Sequence, residues 1–560
     1  IFKGSNKLSK NLYQRDHYIF KGWSLDQNAT SATYQDEQQV SGLATKENDI
    51  VNLYAIWEKK KYNVNVVVQN GTVDTSSKQI SYNESGTFNL TTNIEGAIGS
   101  VKCSNNQKGK VEDSILTVSN VSNDTTCTVK FATTWTTLFS DGTLIINESA
   151  EHRNTDLATH GSVIEDYDAW SESNAYVMSD TNQPWYNEMH TIKGVEIDDT
   201  IVPVSTAYWF MDAINMVGGD FHNLKAEELT DMSYMFASAG EDASSFSLTG
   251  LGGWITSQVT DMNSVFWFTG FAANTWSIEN LSWDTSSVTD MSNMFSYAGQ
   301  NATTFELTGL ENWDTSNVTS MISMFHRAGA FSTTWSIGDL SNWDTSKVTY
   351  MTSMFESAGE KSTTWDIGNL SSWNTSNVSD MSSMFKNAGV TATSFELKGL
   401  ENWDTSKVNN MSSMFEYTGE KSTTWDIGNL SSWDTSNVSD MSWMFSHAGY
   451  NTTQDTSLVM DNWNVSKVTD MSNMFNDAFS NSNSIHLSFN NWDTSSITNM
   501  NGMFSGLGTS AEIWRVYIPR KTGSLTNTYD KWYGSSSSVY AIPATDRTFM
   551  FRTSGGGSSS

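Results

Sequence analysis

Basic residues are scarce in this chain. Of 560 residues, 31 are Lys or Arg against 62 Asp or Glu, a formal charge of −31. Nucleic acids and anionic membranes are held by clustered cations, so this balance argues against both as partners. Proline is nearly absent too: only Pro184, Pro203, Pro519 and Pro543 occur, and none falls within the regular repeats described below. No apolar run is long enough to cross a bilayer as a helix. The eight histidines are scattered. There is no HExxH pair, no G-x-S-x-G and no Ser–His–Asp cue, and "AGEKSTT" lacks the G-x-x-x-x-G-K order of a phosphate loop. No catalytic site, cofactor or metal site is therefore expected. No leader stands at the start, so the chain reads as a mature or trimmed piece. It closes on "TSGGGSSS", residues 553–560, read as a flexible tail.

Cysteine is limited to Cys103 and Cys127. The stretch "VKCSNNQKGKVEDSILTVSNVSNDTTCTVKF" reads as strand, hairpin, strand, with the cysteines near the outer strands. A Cys103–Cys127 disulfide is the expectation, and it implies an oxidising, extracellular location. Two buried free thiols are the alternative. A C-x-x-C metal site is excluded by number and spacing.

What the chain has in abundance is repetition. A phenylalanine closing an M-x-x-M-F phrase falls at 236, 266, 295, 325, 355, 385, 415, 445, 475 and 504, with Val265 replacing one methionine. The step is 30 residues seven times and 29 twice. A fixed period of this size marks a stacked or radial repeat architecture. Twelve residues before the phenylalanine stands Trp254, Trp283, Trp313, Trp343, Trp373, Trp403, Trp433, Trp463 or Trp492, with Leu224 in the first repeat. The stretch "GEKSTTWDIGNLSSW" occurs identically at 359–373 and 419–433, as if a two-repeat block had been duplicated.

In the repeat 365–389, Trp365–Ile367 alternates as a strand does. Val378, Met381, Met384, Phe385 and Ala388 then recur at steps of three and four, the pattern of one helix face. Ser379 or Asp380 is placed to cap such a helix and Gly389 to end it. The fold expected is a mixed α/β, capped, leucine-rich-repeat-like solenoid of about ten strand–helix coils, preceded by two small all-β modules. The segments are 1–59 and 60–133 for those modules, the second sandwich-like. Residues 134–222 form an N-terminal cap, 223–508 the solenoid and 509–552 a C-terminal cap; caps cover faces that an end coil would otherwise expose. The Met columns are read as core packing, which suits an adaptable thioether.

Two resemblances follow from these residues. "FKGWS" followed by "LYAIW" within 1–59 is similar to the Listeria–Bacteroides, or internalin B-type, repeat, a β-grasp-like module of bacterial surface proteins; its first strand is missing before Ile1. The phrase W-D-T-S-N-V-T-D-M-S-x-M-F resembles the BspA-like leucine-rich-repeat surface proteins, including the mycoplasma lipoprotein-type repeats, over about 200–508. That resemblance implies a bacterial cell-surface or secreted adhesin that binds a host protein or glycoprotein, without catalysis and as a monomer. Capture of a soluble host immune protein is an alternative. So, from another class, is a carbohydrate-binding or polysaccharide-cleaving solenoid, although that chemistry calls for unique carboxylates and those seen here are repeated.

After the tryptophans come Asp284, Asp314, Asp344, Asn374, Asp404, Asp434, Asn464 and Asp493. Either each closes a turn by accepting a backbone N–H, or the column holds Ca²⁺; the asparagines favour the turn. Candidate binding residues are the outliers of columns otherwise small or polar. On a helical wheel centred on Met381, positions 383 and 386 point outward and 387 lies on the flank. Those columns, with the residues just beyond, contribute Trp267, Phe268, Phe271, Tyr297, His326, Arg327, Phe331, Tyr417, Trp443, His447 and Tyr450. Exposed aromatics and arginine are the types enriched at binding hot spots.

Overall fold

The computed structural model describes residues 6–44, 46, 49–69, 71–92, 98–112, 114–132, 134–147, 158–170, 183–489, 491–511 and 513–517. The expected C-terminal cap beyond 517 and the tail 553–560 lie outside them, as do 148–157 and 171–182 of the expected N-terminal cap. The chain divides into two units, Ile1–Thr134 with Asp168–Ser171, and Trp135–Tyr167 with Glu172–Ser560.

In the first unit Tyr18–Ser24 pairs antiparallel with Tyr54–Lys59, and the register shifts between Phe20 and Gly22. The glycine of "FKGWS" is obligatory there: its φ is 131°, and a Cβ would sit 2.2 Å from the Tyr34 carbonyl oxygen. Two four-stranded sheets follow, one built on Lys61–Gln69 and Thr125–Ala132, the other on Gly86–Thr91 and Ile115–Val118. Alternate residues of Lys61–Gln69 turn inward, so Tyr62, Val64 and Val66 meet Phe88, Leu90, Leu116 and Val118 in one core. Cys103 stands opposite Cys127 on an antiparallel pair, Cα atoms 3.9 Å apart, and the two are joined by a disulfide.

The second unit opens on a seven-stranded sheet. It runs from Val163–Trp170 at one edge through Thr134–Phe139, Thr143–Asn147, Gly194–Ile197 and Gly218–Asp220 to Ser245–Thr249 and Thr275–Ile278. From Thr143–Asn147 onward the pairing is parallel. Later repeats continue it as short parallel pairs, Thr304–Glu306 with Thr334–Ser336 and Ser394–Glu396 with Thr424–Asp426. A second row of parallel bridges joins Asp231, Asp261, Asp290, Ser320, Tyr350 and Asp380 in turn, and onward to Asn499. Each repeat is thus laid against the next in register.

The expected strand–helix coil is wrong. The elements are mostly strands in several small sheets, with helix confined to short pieces such as Leu370–Ser372 and Leu430–Ser432. The segment read as a helix is a ribbon of tight turns. In 381–388 the N–H groups of Met381, Ser383, Phe385 and Asn387 donate to carbonyls of the next repeat (Asn410, Ser412, Met414 and Glu416) at 2.7–3.1 Å. Those of Met384, Lys386 and Ala388 donate three residues back, to Met381, Ser383 and Phe385. Half of the donors leave the segment, and an α-helix cannot spare them. Ser383, Asn387 and Gly389 hold φ of 55°, 56° and 54°, a left-handed conformation that L side chains adopt reluctantly and no right-handed helix contains. The apolar steps of three and four are real, but a ribbon of tight turns with left-handed residues at 383, 387 and 389 carries them as well. Asp380 caps no helix: its Oδ1 accepts the Ser382 N–H at 2.8 Å in a local turn.

The apolar columns become two ladders of rings. The phenylalanines stack from Phe236 to Phe504 with centroids 5.2–5.8 Å apart. The tryptophans stack from Trp254 to Trp492 at 5.9–6.3 Å. From Trp283 onward each indole N–H donates to a carbonyl of the preceding repeat, Leu251 for Trp283 and Leu400 for Trp433, at 2.7–3.2 Å. The phenylalanine ladder also starts one step earlier than the sequence phrase. Phe210 stacks on Phe236 at 5.7 Å, and Trp185, fully buried, stacks on Phe210 at 6.1 Å. Here Thr206 and Trp209 replace the two methionines and the step is 26 residues, so the phrase is not recognisable.

Because layers meet only their neighbours, whole repeats can be removed. Deleting 359–418 joins Ala358 to Gly419, the first residue of the same fifteen-residue stretch, and the shortened protein should melt in one transition near the parent temperature. Deleting 359–373 alone should abolish cooperative melting. Like behaviour of the two would contradict a 30-residue layer. In the first unit, reducing Cys103–Cys127 should cost about 3 kcal/mol of stability on the chain-entropy model for a loop of this size. Denaturation of residues 1–134 with and without reductant, beside mass spectrometry of the thiols, measures it.

Candidate partner-binding surface

The turn ribbon, in place of a helix, sets how the outlier columns are exposed. At the positions equivalent to 386, Ser296, Glu416 and Ser446 are buried, while Trp267, His326 and Lys386 are half-buried. The positions equivalent to 383 and 387 are the left-handed ones, at Tyr234, Ser264, Asn293, Ser323, Ser353, Ser413 and Trp443, and at Ser238, Phe268, Tyr297, Arg327, Ser357, Tyr417, His447 and Asp477. Asparagine suits that backbone because its short amide can bond locally. Serine, aromatic residues and arginine held there alike carry a conformational cost of roughly 1–2 kcal/mol each, since it arises at Cβ.

Seven of the candidates gather across three successive repeats. Phe268 stacks on Tyr297 at 4.2 Å and 13°, and on Phe271 at 5.4 Å. Trp267 sets its ring edge-on to Phe268 at 4.7 Å, and Tyr297 meets His326 edge-on at 4.9 Å. The Arg327 guanidinium lies 5.5 Å from the Tyr297 centroid, and its Nε donates to Gln300 Oε1 at 3.4 Å. Phe331, 41% exposed, donates its N–H to the Gln300 carbonyl. Burial pushes His326 below the usual imidazole range; Glu356 pulls the other way and the Arg327 charge adds to the fall. Arg327 is therefore the fixed cation of the cluster.

A second, smaller group forms from Tyr417, His447 and Tyr450. Tyr417 stacks on His447 at 4.3 Å, and His447 on Tyr450 at 6.1 Å. His447 Nε2 lies 3.6 Å from Asp477 Oδ2, and its Nδ1 is 3.0 Å from Ser446 Oγ. Burial raises the Tyr417 phenol above its ordinary value, with Glu416 and Glu420 adding to the rise. Trp443 makes no ring contact with this group. It stands in the other left-handed column, 37% exposed, at φ 60°.

Two outward features escaped the sequence reading. Tyr208 stacks on Tyr234 at 5.1 Å, hidden because the repeat containing Tyr208 lacks the Met phrase. Tyr350, 47% exposed, replaces the Asp or Asn that most repeats carry at that position, and comparing that column would have found it. The aspartate column after the tryptophans closes turns. Oδ1 of Asp284, Asp314, Asp344, Asn374, Asp404, Asp434, Asn464 and Asp493 accepts the N–H two residues on at 2.9–3.1 Å. The serine in each turn also holds Asp314, Asp404 and Asp493 below the usual carboxylate range.

The repeats match a family described as "Mycoplasma protein of unknown function, DUF285", over residues 204–300, 298–392, 358–485 and 389–513. The chain belongs to this family. No curated protein matches it, and no solved structure does. The first match begins at 204, so the family's repeat takes in the layer of Phe210. Among the described residues, no helix is long and apolar enough to cross a membrane.

The left-handed backbone gives Trp443 a stability test. Trp443→Asn should keep the melting temperature or raise it by a degree or two, since asparagine fits φ near 60° better and the ring is partly exposed. Trp433→Ser removes a buried ladder ring and should cost about 3–5 kcal/mol. Thermal melts of both variants check the pair; an early melt of Trp443→Asn would make that ring structural.

Proposed function

We propose that this chain is a non-catalytic binding protein of the bacterial cell surface. Its stacked repeats serve as a scaffold, and the outliers of the left-handed columns make contact with a host protein or glycoprotein. The observation that carries this reading is the clustering of rings and an arginine at partly exposed positions where most sibling repeats keep serine or asparagine. Aromatic and arginine side chains left partly open to solvent are the types enriched at contact surfaces. Because the ladders hold the layers in register, such residues are presented on rigid backbone, which lowers the entropic cost of binding. The likeness of the W-D-T-S-N-V-T-D-M-S-x-M-F phrase to BspA-like surface proteins supports an adhesin. The Cys103–Cys127 disulfide suits an oxidising exterior.

The test is a panel of purified host surface and serum proteins beside a glycan array, probed with the intact chain. At least one protein should bind, and the double variant Phe268→Ser/Tyr297→Ser should weaken that binding by about 2 kcal/mol or more, the loss typical of a hot spot. Asn387→Ser, on the same column three repeats beyond Tyr297, should change nothing. Binding to glycans alone, or binding indifferent to the double variant, would refute the proposal.

A further inference from the structure

Arg327 is unusual in its surroundings. It is the one arginine between residues 154 and 514 in a chain of net charge −31. Three lysines elsewhere in the repeats pair with carboxylates: Lys386 with Glu416 at 3.0 Å, Lys361 with Glu360 at 2.7 Å, Lys398 with Glu396 at 3.0 Å. Arg327 has no carboxylate partner among the described residues. Its Nε donates to Gln300 Oε1 and its guanidinium carbon lies 5.5 Å from the Tyr297 centroid; neither contact uses the terminal Nη groups. A guanidinium held by a ring and by one hydrogen bond has lost much of its rotational freedom in advance. Its remaining donors form the fork that fits a carboxylate.

We propose that Arg327, backed by Tyr297 and Phe268, anchors a carboxylate borne next to an apolar side chain on a protein partner; this rests on the reading of the chain as a binding protein. The rings point to a protein and not to a sugar. Sugar stacking needs a free aromatic face. Phe268, from the preceding repeat, stacks on Tyr297 at 4.2 Å, and Arg327, from the following repeat, lies 5.5 Å from its centroid. Phe268 stacks on Phe271 as well. Rings stacked on one another offer a sugar little free face, whereas their edges, with the exposed Phe331, suit aliphatic and aromatic side chains. The chain's net acidity disfavours a carboxylate over most of its surface, which gives the contact its register.

The experiment is ligand-observed NMR with the whole chain, using N-acetyl-phenylalanine, its uncharged amide and N-acetylneuraminic acid as probes. The amino-acid carboxylate should bind weakly, the amide about tenfold more weakly still, as expected for loss of a charge-assisted pair. Arg327→Gln should bring the acid down to the level of the amide at an unchanged melting temperature, while Lys361→Gln should leave binding as it was. No binding of the acid, equal binding of acid and amide, or indifference to Arg327→Gln would each overturn the anchor. N-acetylneuraminic acid binding as tightly as N-acetyl-phenylalanine would overturn the assignment to a protein. A host protein captured equally by the parent and by Arg327→Gln would remove the anchor and leave the binding-protein reading standing.

Discussion

Everything in the repeat region depends on one requirement: the polar groups of a layer are satisfied by the layers beside it. The indole N–H of Trp433 reaches the Leu400 carbonyl, and the Thr435 hydroxyl reaches the Asn464 carbonyl, one layer away in the opposite direction. The backbone of 381–388 gives every second N–H to the next layer. A buried donor left unpaired costs about 1–3 kcal/mol, so a register slip of one residue would forfeit many bonds at once. This explains why the spacing scarcely varies. It also explains the methionines. Met381 and Met384 sit under the ring ladder among parts that cannot move, and a flexible thioether fills whatever volume is left.

The same requirement creates the positions available for binding. To send alternate N–H groups outward along the stack, the ribbon must reverse its handedness at Ser383, Asn387 and Gly389. At the third position a side chain is sterically costly: a Cβ on Gly389 would lie 3.0 Å from Trp365, and one on Gly419 2.5 Å from Phe395. Phe479 nevertheless takes that conformation, at φ 51°, and packs against Trp425 at 5.0 Å. At the first two positions the side chain can reach the surface, and there the sequence diverges. The scaffold thus offers two columns of rigid attachment points, and binding residues accept backbone strain as the condition of being there.

The period, the two ring columns and the turn-closing aspartates were legible in the sequence, because each repeats ten or so times in fixed register. The local conformation was not. Steps of three and four at Val378, Met381, Met384 and Phe385 are common to a helix face and to a ribbon of tight turns with left-handed residues at 383, 387 and 389, so periodicity could not separate them. Composition could have. Serine and asparagine at 383 and 387 and glycine at 389 are poor helix formers, and asparagine and glycine are good left-handed ones. The layer of Phe210 was illegible for a different reason: Trp209 fills the space of a methionine, and only its stacking partners reveal the equivalence. The candidate contacts were chosen as outliers of a column, which does not depend on the local conformation; which of them touch one another does depend on it, and Trp443 stands apart from the stacked Tyr417, His447 and Tyr450.

The identical stretches at 359–373 and 419–433 follow from a pattern that closes only every second layer. Asn317, Lys347, Asn377, Lys407, Asn437 and Lys467 alternate in one column. Each lysine Nζ donates to the side-chain oxygen of the asparagine before it. Each asparagine Nδ2 donates to a serine carbonyl in the layer before that, Ser286, Ser346 or Ser406. Lysine throughout would line up ammonium groups at the strand spacing of about 5 Å, and alternation avoids this while using both ends of every amide. In the strand column Phe395 lies between Trp365 and Trp425, although Trp335 stacks directly on Trp365. Two layers are therefore the smallest block that can be copied without leaving a mismatched neighbour. The copied block begins at 359, beyond Arg327 and Phe331. Duplicating it adds layers to the stack and leaves the arginine cluster single, so the length of the scaffold can change while the contact it presents stays the same.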